Sequence, residues 1–143
     1  MANIIYPNED DFRVFIDILN KGNYTIKKYL PYIDDEWYKV VLSCVNYVKD
    51  TSRYENLDIY EVTSKILYKV SKKHELGDGN KRSGVISVVL FCLVNDFYIK
   101  NPAYLKNLAK RIAKTRGRIN EDLLRERIAK CLKSTMYFSE DKN

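Results

Sequence analysis

Hydrophobic residues recur every three or four positions along most of this 143-residue chain, and that spacing predicts amphipathic α-helices. In the N-terminal half, the pattern predicts three helices, over about residues 8–22, 35–49 and 58–73. Asn8, Asp34 or Asp35, and Asp58 stand at the starts of these stretches, where a short polar side chain can cap the first helical turn.

The most apolar stretch of the chain, residues 85–94, has no polar face. A helix that is apolar on nearly all sides is buried by its neighbours, so we predict a central helix over about residues 80–95. Two more helices are predicted further on, the first because Asn101-Pro102 supplies an N-cap and a favourable first helical residue. The second begins near Asn120.

Three segments lack the helical period, at residues 24–34, 51–58 and 136–143. The first is interpreted as a short helix or a loop, the second as a loop or a short β-hairpin, and the third as a polar, frayed tail. The predicted fold class is therefore all-α, with about six helices around the buried helix 80–95. Residues 1–143 are expected to form a single domain, because the length is typical of one and no linker or repeat is present.

Charge and cysteine content narrow the class of protein. The net charge is +6 and the pI is near 9.1, which suits an acidic partner such as a nucleotide. The longest apolar run is about ten residues, half of the ~20 that span a bilayer, so no membrane partner is expected. Three scattered cysteines, Cys44, Cys92 and Cys131, are typical of buried thiols in a reducing compartment, and we expect a cytoplasmic location.

Residues 74–84, His-Glu-Leu-Gly-Asp-Gly-Asn-Lys-Arg-Ser-Gly, precede the apolar run and contain the only histidine of the chain. A helix that begins near Asn80 presents unpaired backbone N–H groups and a partial positive charge there. Gly79 allows close approach to the backbone, while Lys81 and Arg82 add full positive charge. The segment therefore predicts a phosphate-binding helix start.

Two further groups add chemistry to this anion site. Asp78 is a hard oxygen ligand suited to Mg²⁺ that bridges phosphate oxygens. His74 can accept a proton near neutral pH. A base, a metal carboxylate and an anion cradle are the parts that phosphoryl or nucleotidyl transfer requires.

The sequence from His74 to Ser83 resembles the motif of the Fic/Doc family, His-x-Phe-x-(Asp/Glu)-(Gly/Ala)-Asn-(Gly/Lys)-Arg, with Leu76 in place of the phenylalanine. Its Asn-Lys-Arg-Ser ending is similar to that of the Doc (death-on-curing) toxin branch. The resemblance extends over roughly residues 50–100. It implies a Fic/Doc-type helical bundle in which the motif joins the two central helices.

The resemblance also implies a role for each residue of the motif. His74 would be the general base that takes a proton from a hydroxyl of the target protein, and Asp78 would hold Mg²⁺. Residues Gly79, Asn80 and Lys81 would line the anion hole, and Arg82 would bind a phosphate of the nucleotide.

A segment upstream of the motif corresponds to the family's flap, which clamps the backbone of the target. Its residues here are Tyr54, Glu55, Asn56 and Leu57. The stretch Thr51–Asn56 also fits the family's inhibitory pattern, in which a glutamate pairs with a second arginine. That arginine is missing from this chain, so coincidence is the preferred interpretation of the inhibitory pattern.

The missing arginine bears on which group is transferred. Family members that transfer AMP carry a second arginine three residues after the first, and Val85 stands at that position here. Doc-like members also lack it and are kinases, so Val85 favours phosphate transfer. Gly79 favours the AMP-transferring branch, where Doc has alanine.

The resemblance thus implies a Doc-like toxin kinase that uses ATP and Mg²⁺ to phosphorylate a Ser or Thr hydroxyl and arrests growth. Translation elongation factor Tu is a candidate target, and an antitoxin is an implied partner. Protein AMPylation is the alternative activity, and a catalytically weak module that binds a nucleotide or a partner is the alternative of another class.

A basic run on the predicted fifth helix has two interpretations, a solvated helix face or a docking surface for an acidic partner. Its members are Lys106, Lys110, Arg111, Lys114, Arg116 and Arg118. Nucleic-acid binding is not expected there, since aromatic residues are not interleaved among the cations.

Overall fold

A computed structural model of the chain describes residues 3–21, 35–72, 80–100, 102–114 and 121–138. Within these ranges lie six helices and two short strands. In chain order they are α1 (Glu9–Lys21), α2 (Asp35–Ser52), α3 (Ile59–Ser71), α4 (Asn80–Val94), β1 (Phe97–Ile99), α5 (Pro102–Lys114), α6 (Glu121–Thr135) and β2 (Met136–Phe138). The predicted all-α fold class is confirmed.

The α4 helix lies in the core, as its apolar sequence predicts. Most of its side chains from Ser83 to Cys92 are buried, and Leu93 is the one exposed large hydrophobic residue of the helix. The α3 helix is equally central, because it packs against α2, α4, α5 and α6, whereas α4 contacts α3, α5 and β1. The core therefore has two neighbouring central helices rather than one.

Local capping interactions fix the starts of α1 and α3. At α1, the Asp11 amide donates to Asn8 Oδ1 and the Asn8 amide donates to Asp11 Oδ2, both at 2.9 Å. At α3, the Glu61 amide donates to Asp58 Oδ1 at 2.8 Å, and the Asp58 amide donates to Glu61 Oε1 at 3.2 Å. Both helices thus begin with a reciprocal capping box, which confirms the two predicted N-caps.

The segment 51–58 contains no β-hairpin, which corrects that interpretation of its sequence. The α2 helix continues to Ser52 and α3 begins at Ile59. The Glu55 amide donates to the Ser52 carbonyl at 3.0 Å, so the chain reverses in a turn. Residues 53–58, called here the 53–58 turn, are too few for two strands and a loop.

The two strands pair instead across the 36 residues of chain that lie between Ile99 and Met136. They are antiparallel, with Phe97 opposite Phe138, Tyr98 opposite Tyr137, and Ile99 opposite Met136. The expectation of a frayed tail from residue 136 is therefore wrong for residues 136–138, where Met136 is buried. Their apolar side chains pack on the bundle, and the polar residues follow only from 139 onward.

The segment before α1 is attached to the far end of α4. The Ile5 amide donates to Asn95 Oδ1 at 2.8 Å, and Asn95 Nδ2 donates to the Ile5 carbonyl at 2.7 Å. The Tyr6 ring packs on Phe91, with centroids 5.8 Å apart. Asn95 thereby pairs with the backbone as a neighbouring strand would, and precedes Asp96, whose φ of 61° lies in the left-handed region.

The cysteines are free thiols, of which Cys44 and Cys92 are buried and Cys131 is half-buried. Burial raises the pKa of the Cys92 thiol to about 12. In the described part of the chain, no helix is long and apolar enough to cross a lipid bilayer. The ambiguous segment 24–34 lies outside the described residues, as do residues 139–143.

The α3 and α4 helices approach each other closely at Gly84. A Cβ atom on Gly84 would lie 2.5 Å from Ser71 Oγ and 3.3 Å from Leu67 Cδ1. Real Cβ atoms essentially never come as close as the first distance, so a side chain at position 84 forces the helices apart or displaces Ser71. Glycine is therefore required by the packing of the two central helices.

We predict that Gly84→Ala lowers the free energy of unfolding by about 1–3 kcal/mol, because overpacking outweighs the better helix propensity of alanine. Urea denaturation measures the change. On a Ser71→Ala background, which removes Oγ, the same substitution should cost less. A Gly84→Ala variant as stable as the parent protein would contradict the close approach.

Candidate functional site

The motif lies at the junction of the two central helices. The α3 helix ends at Ser71 and α4 begins at Asn80, so the predicted base and metal ligand fall on the connection between them. His74, Asp78 and Gly79 belong to residues 73–79, outside the described part of the chain, so their assigned roles stay predictions. The predicted helices before and after the motif agree with the bounds of α3 and α4, and the connection itself lies outside the described residues.

The first turn of α4 contains the rest of the predicted anion site. Asn80 and Lys81 are its first two residues, with the backbone but not the side chains described, and Arg82 follows with an exposed side chain. The N–H groups of a first helical turn lack intrahelical acceptors and lie at the positive end of the helix dipole. Backbone donors and the Arg82 cation are thus on the same turn.

Residues 83–85 of the same helix face the opposite way, into the core. Ser83 and Gly84 are buried, and Val85 is only 3% exposed. A guanidinium at position 85 would have to leave water for an apolar environment, which is costly without a buried partner. The position of the family's second arginine is thus part of the hydrophobic core in this protein.

A buried hydrogen bond ties the start of α4 to α2. Trp37 Nε1 donates to Ser83 Oγ at 2.6 Å, across 46 residues of sequence. Edge-on contact of the Phe12 and Trp37 rings, 6.3 Å between centroids, connects α1 to the same point. A buried tryptophan needs an acceptor for its N–H, but its sequence position does not reveal which residue supplies it. The sequence pattern alone therefore does not reveal the hydrogen bond between Trp37 and Ser83.

The 53–58 turn contains the four residues predicted to form the flap. Tyr54 is 89% exposed, Glu55 and Asn56 are also exposed, and Leu57 is half-buried. Exposed and half-buried side chains at a turn are accessible to a partner protein. This accessibility is compatible with the predicted docking role, which stays a prediction.

The Glu55 carboxylate has a partner that the sequence analysis did not single out. Lys65 Nζ, on α3, lies 3.5 Å from Glu55 Oε1 and donates to Ser52 Oγ at 3.1 Å. Lysine is seldom buried, yet this side chain is 10% exposed. The available signal was a lysine within the buried stripe of a helix, between Val62 and Ile66.

A cavity of about 170 Å³ lies between the turn, α3 and α6. Its lining is mostly polar and charged, and consists of Glu55, Leu57, Glu61, Ser64, Lys65, Arg125 and Glu126. Carboxylates and cations face the same space, so the cavity has no strong preference for one sign of charge.

Metal and partner predictions concern residues that are only partly described. Within the described ranges, no group of three or more His, Cys, Asp or Glu side chains could hold a metal ion, and Asp78 lies outside them. Of the basic run, Lys110 is exposed on α5, while the other five side chains are not described. Both interpretations of that run remain open.

Comparisons with models of protein families, with curated proteins and with solved structures returned no match. The resemblance to the Fic/Doc family therefore depends on the motif itself and on the all-α fold with six helices in the described part of the chain.

We predict that Ser83→Ala lowers the free energy of unfolding by about 1–3 kcal/mol, because it removes the acceptor of a buried N–H. Chemical denaturation, followed by the fluorescence of Trp37, the only tryptophan, measures the loss. Trp37→Phe, followed by circular dichroism, is the reference background. There Ser83→Ala should cost clearly less, and equal costs on both backgrounds would argue against the hydrogen bond.

Proposed function

We propose that this protein is a Doc-like kinase that transfers the γ-phosphate of ATP to a Ser or Thr hydroxyl of a target protein. The observation that carries the proposal is the position of the motif. Its histidine and aspartate lie on the connection between the two central helices, and its arginine is exposed on the first turn of the second.

In the proposed reaction, His74 accepts the proton of the target hydroxyl while the hydroxyl oxygen forms a bond to the γ-phosphorus. The bond between that phosphorus and the β–γ bridging oxygen breaks, and ADP leaves. The amides of the first turn of α4 and the Arg82 guanidinium bind phosphate oxygens and stabilise the added charge. Asp78 would hold Mg²⁺, which would supply positive charge to neutralise the phosphates.

Burial of Val85 favours phosphate transfer over AMP transfer within this proposal. Members that transfer AMP use a second arginine at this position to hold the γ-phosphate. Here the Val85 side chain packs in the core, so position 85 adds no cation to the surface next to Arg82. With one arginine, the nucleotide is proposed to bind in the reversed, Doc-like orientation.

The cellular role is proposed from the same resemblance. The protein would be the toxin of a toxin–antitoxin pair, acting in the cytoplasm and arresting growth by phosphorylating a component such as elongation factor Tu. An antitoxin that binds the protein would hold it inactive. The net charge of +6 suits an antitoxin that is acidic.

We predict that the protein transfers label from [γ-³²P]ATP, and not from [α-³²P]ATP, to a protein in cell lysate. The His74→Ala variant should transfer about 10²–10⁴-fold less, because general base catalysis contributes that much. EDTA and Asp78→Asn should also abolish the transfer. Autoradiography of the separated proteins is the measurement.

Each other outcome of the labelling experiment has a definite meaning. Transfer of α-label would assign AMPylation instead of phosphorylation. No transfer of either label by folded protein would favour a binding module. Circular dichroism of His74→Ala excludes unfolding as the cause of its loss.

We predict separately that Arg82→Ala raises the KM for ATP by about 10–150-fold, since charge-assisted hydrogen bonds to phosphate contribute about 1.5–3 kcal/mol. Arg127→Ala is the matched control, because Arg127 is also exposed in a helix and lies on α6. Steady-state kinetics with varied ATP compares the two variants. Equal effects of both substitutions would show that only overall charge matters.

A further inference from the structure

Lys65 is a nearly buried cation that the proposed reaction does not use. It stands in the middle of α3, among residues that are all buried from Val62 to Leu67. Removing an ammonium group from water is expensive unless a counter-ion and hydrogen-bond acceptors replace the hydration. The groups that replace the lost hydration of the Lys65 ammonium are therefore constrained to stay beside it.

Two groups provide this compensation, and both lie at the end of α2 or just beyond it. Ser52 Oγ accepts a hydrogen bond from Lys65 Nζ at 3.1 Å, and Glu55 Oε1 lies 3.5 Å from the same nitrogen. Within the described residues, Glu55 is the carboxylate within ion-pair distance of Lys65. Glu61 also lines the cavity, but its Oε1 accepts from the Asp58 amide in the cap of α3.

The other attachments of the 53–58 turn are local or exposed. The Glu55 amide bonds only three residues back, to Ser52. The Arg53–Asp50 ion pair, at 3.2 Å, has both side chains more than half exposed, so it restrains little. Leu57 packs partly against the core, and a cavity of about 170 Å³ borders both Leu57 and Glu55. Asp58, the last residue of the turn, is attached to α3 by its reciprocal cap with Glu61. The Lys65 contacts are thus the charged link from the middle of the turn to the body of the bundle.

The Lys65 link continues to the N-terminal segment. Burial raises the pKa of the Tyr6 hydroxyl above its ordinary value, and the Ser52 side chain lies beside that hydroxyl. Tyr6 itself packs on Phe91 of α4. Ser52 is therefore bound by Lys65 and has Tyr6 as a second neighbour, at the point where the turn begins.

We propose that Lys65 is a positioning residue that, by binding Glu55 and Ser52, holds the 53–58 turn in the conformation that docks the target protein. The exposed Tyr54 ring at the tip of the turn, 6.0 Å from the Arg53 guanidinium carbon, is the side chain so presented. The docking step rests on the proposed function, whereas the restraint of the turn by Lys65 does not.

Amide hydrogen exchange of the free protein, without nucleotide or target, tests the restraint. Lys65→Met and Glu55→Gln should each speed exchange of the Glu55 amide, which is hydrogen-bonded to the Ser52 carbonyl, by roughly 5–10-fold. The double variant should exchange no faster than Lys65→Met alone, because that substitution already removes the Glu55 contact. Lys65→Arg keeps the charge and has the cavity to extend into, so it should retain slow exchange.

Asp50→Asn is the matched control, since it breaks the exposed ion pair of the same turn and should leave exchange within about twofold of the parent protein. Unchanged exchange in Glu55→Gln would overturn the restraint. That variant also guards against misfolding of Lys65→Met, because its side chain is about half exposed.

The docking role is tested by kinetics with the labelled target. Lys65→Met and Glu55→Gln should raise the KM for the target about tenfold and leave kcat and the KM for ATP within about twofold. Faster exchange with an unchanged KM for the target would overturn the docking role. If the unaltered protein transfers no label, the proposed function and the docking role both fail, and exchange alone still decides the restraint.

Discussion

The close packing of α3 against α4 is the constraint on which the rest of the structure depends. Contact at Gly84 leaves no room for a side chain, so the two helices have one workable distance at the end where the motif joins them. This contact fixes which side of the first turn of α4 faces solvent. Arg82 is exposed because Ser83, Gly84 and Val85 are committed to the core.

The reaction proposed here is consequently coupled to packing. Val85 lies within the same buried surface as Gly84, so the absence of an arginine at position 85 is a property of the core as much as of the site. A change of chemistry at that position would require repacking of α4. Contacts from outside the motif also belong to the packing of the core. The Trp37–Ser83 hydrogen bond, for example, connects α2 to the first turn of α4.

Features set by neighbouring residues could be predicted from the sequence, and features set by distant partners could not. Asn8 and Asp58 act on amides three residues away, so both caps were predictable. The buried character of α4 followed from composition alone. The pairing of β1 with β2 joins residues far apart in sequence, and Lys65 reaches Ser52 from another helix, so the sequence left both a loop and a short hairpin open for the stretch 51–58. For the candidate site, the sequence supplied the residue types and helix bounds, but not the contacts of Trp37 and Lys65 that hold its surroundings.

The attachment of the N-terminal segment has an evolutionary consequence. Asn95 is hydrogen-bonded to the backbone of Ile5, and Tyr6 packs on Phe91. The Tyr6 hydroxyl lies beside Ser52, which accepts a hydrogen bond from Lys65. These residues are dispersed over ninety positions of the sequence, yet the substitutions tolerated at each one depend on the residues at the others. If Lys65 positions the turn as proposed, substitutions at Tyr6 are expected to covary with those at Ser52, Lys65 and Glu55 among descendants of this chain.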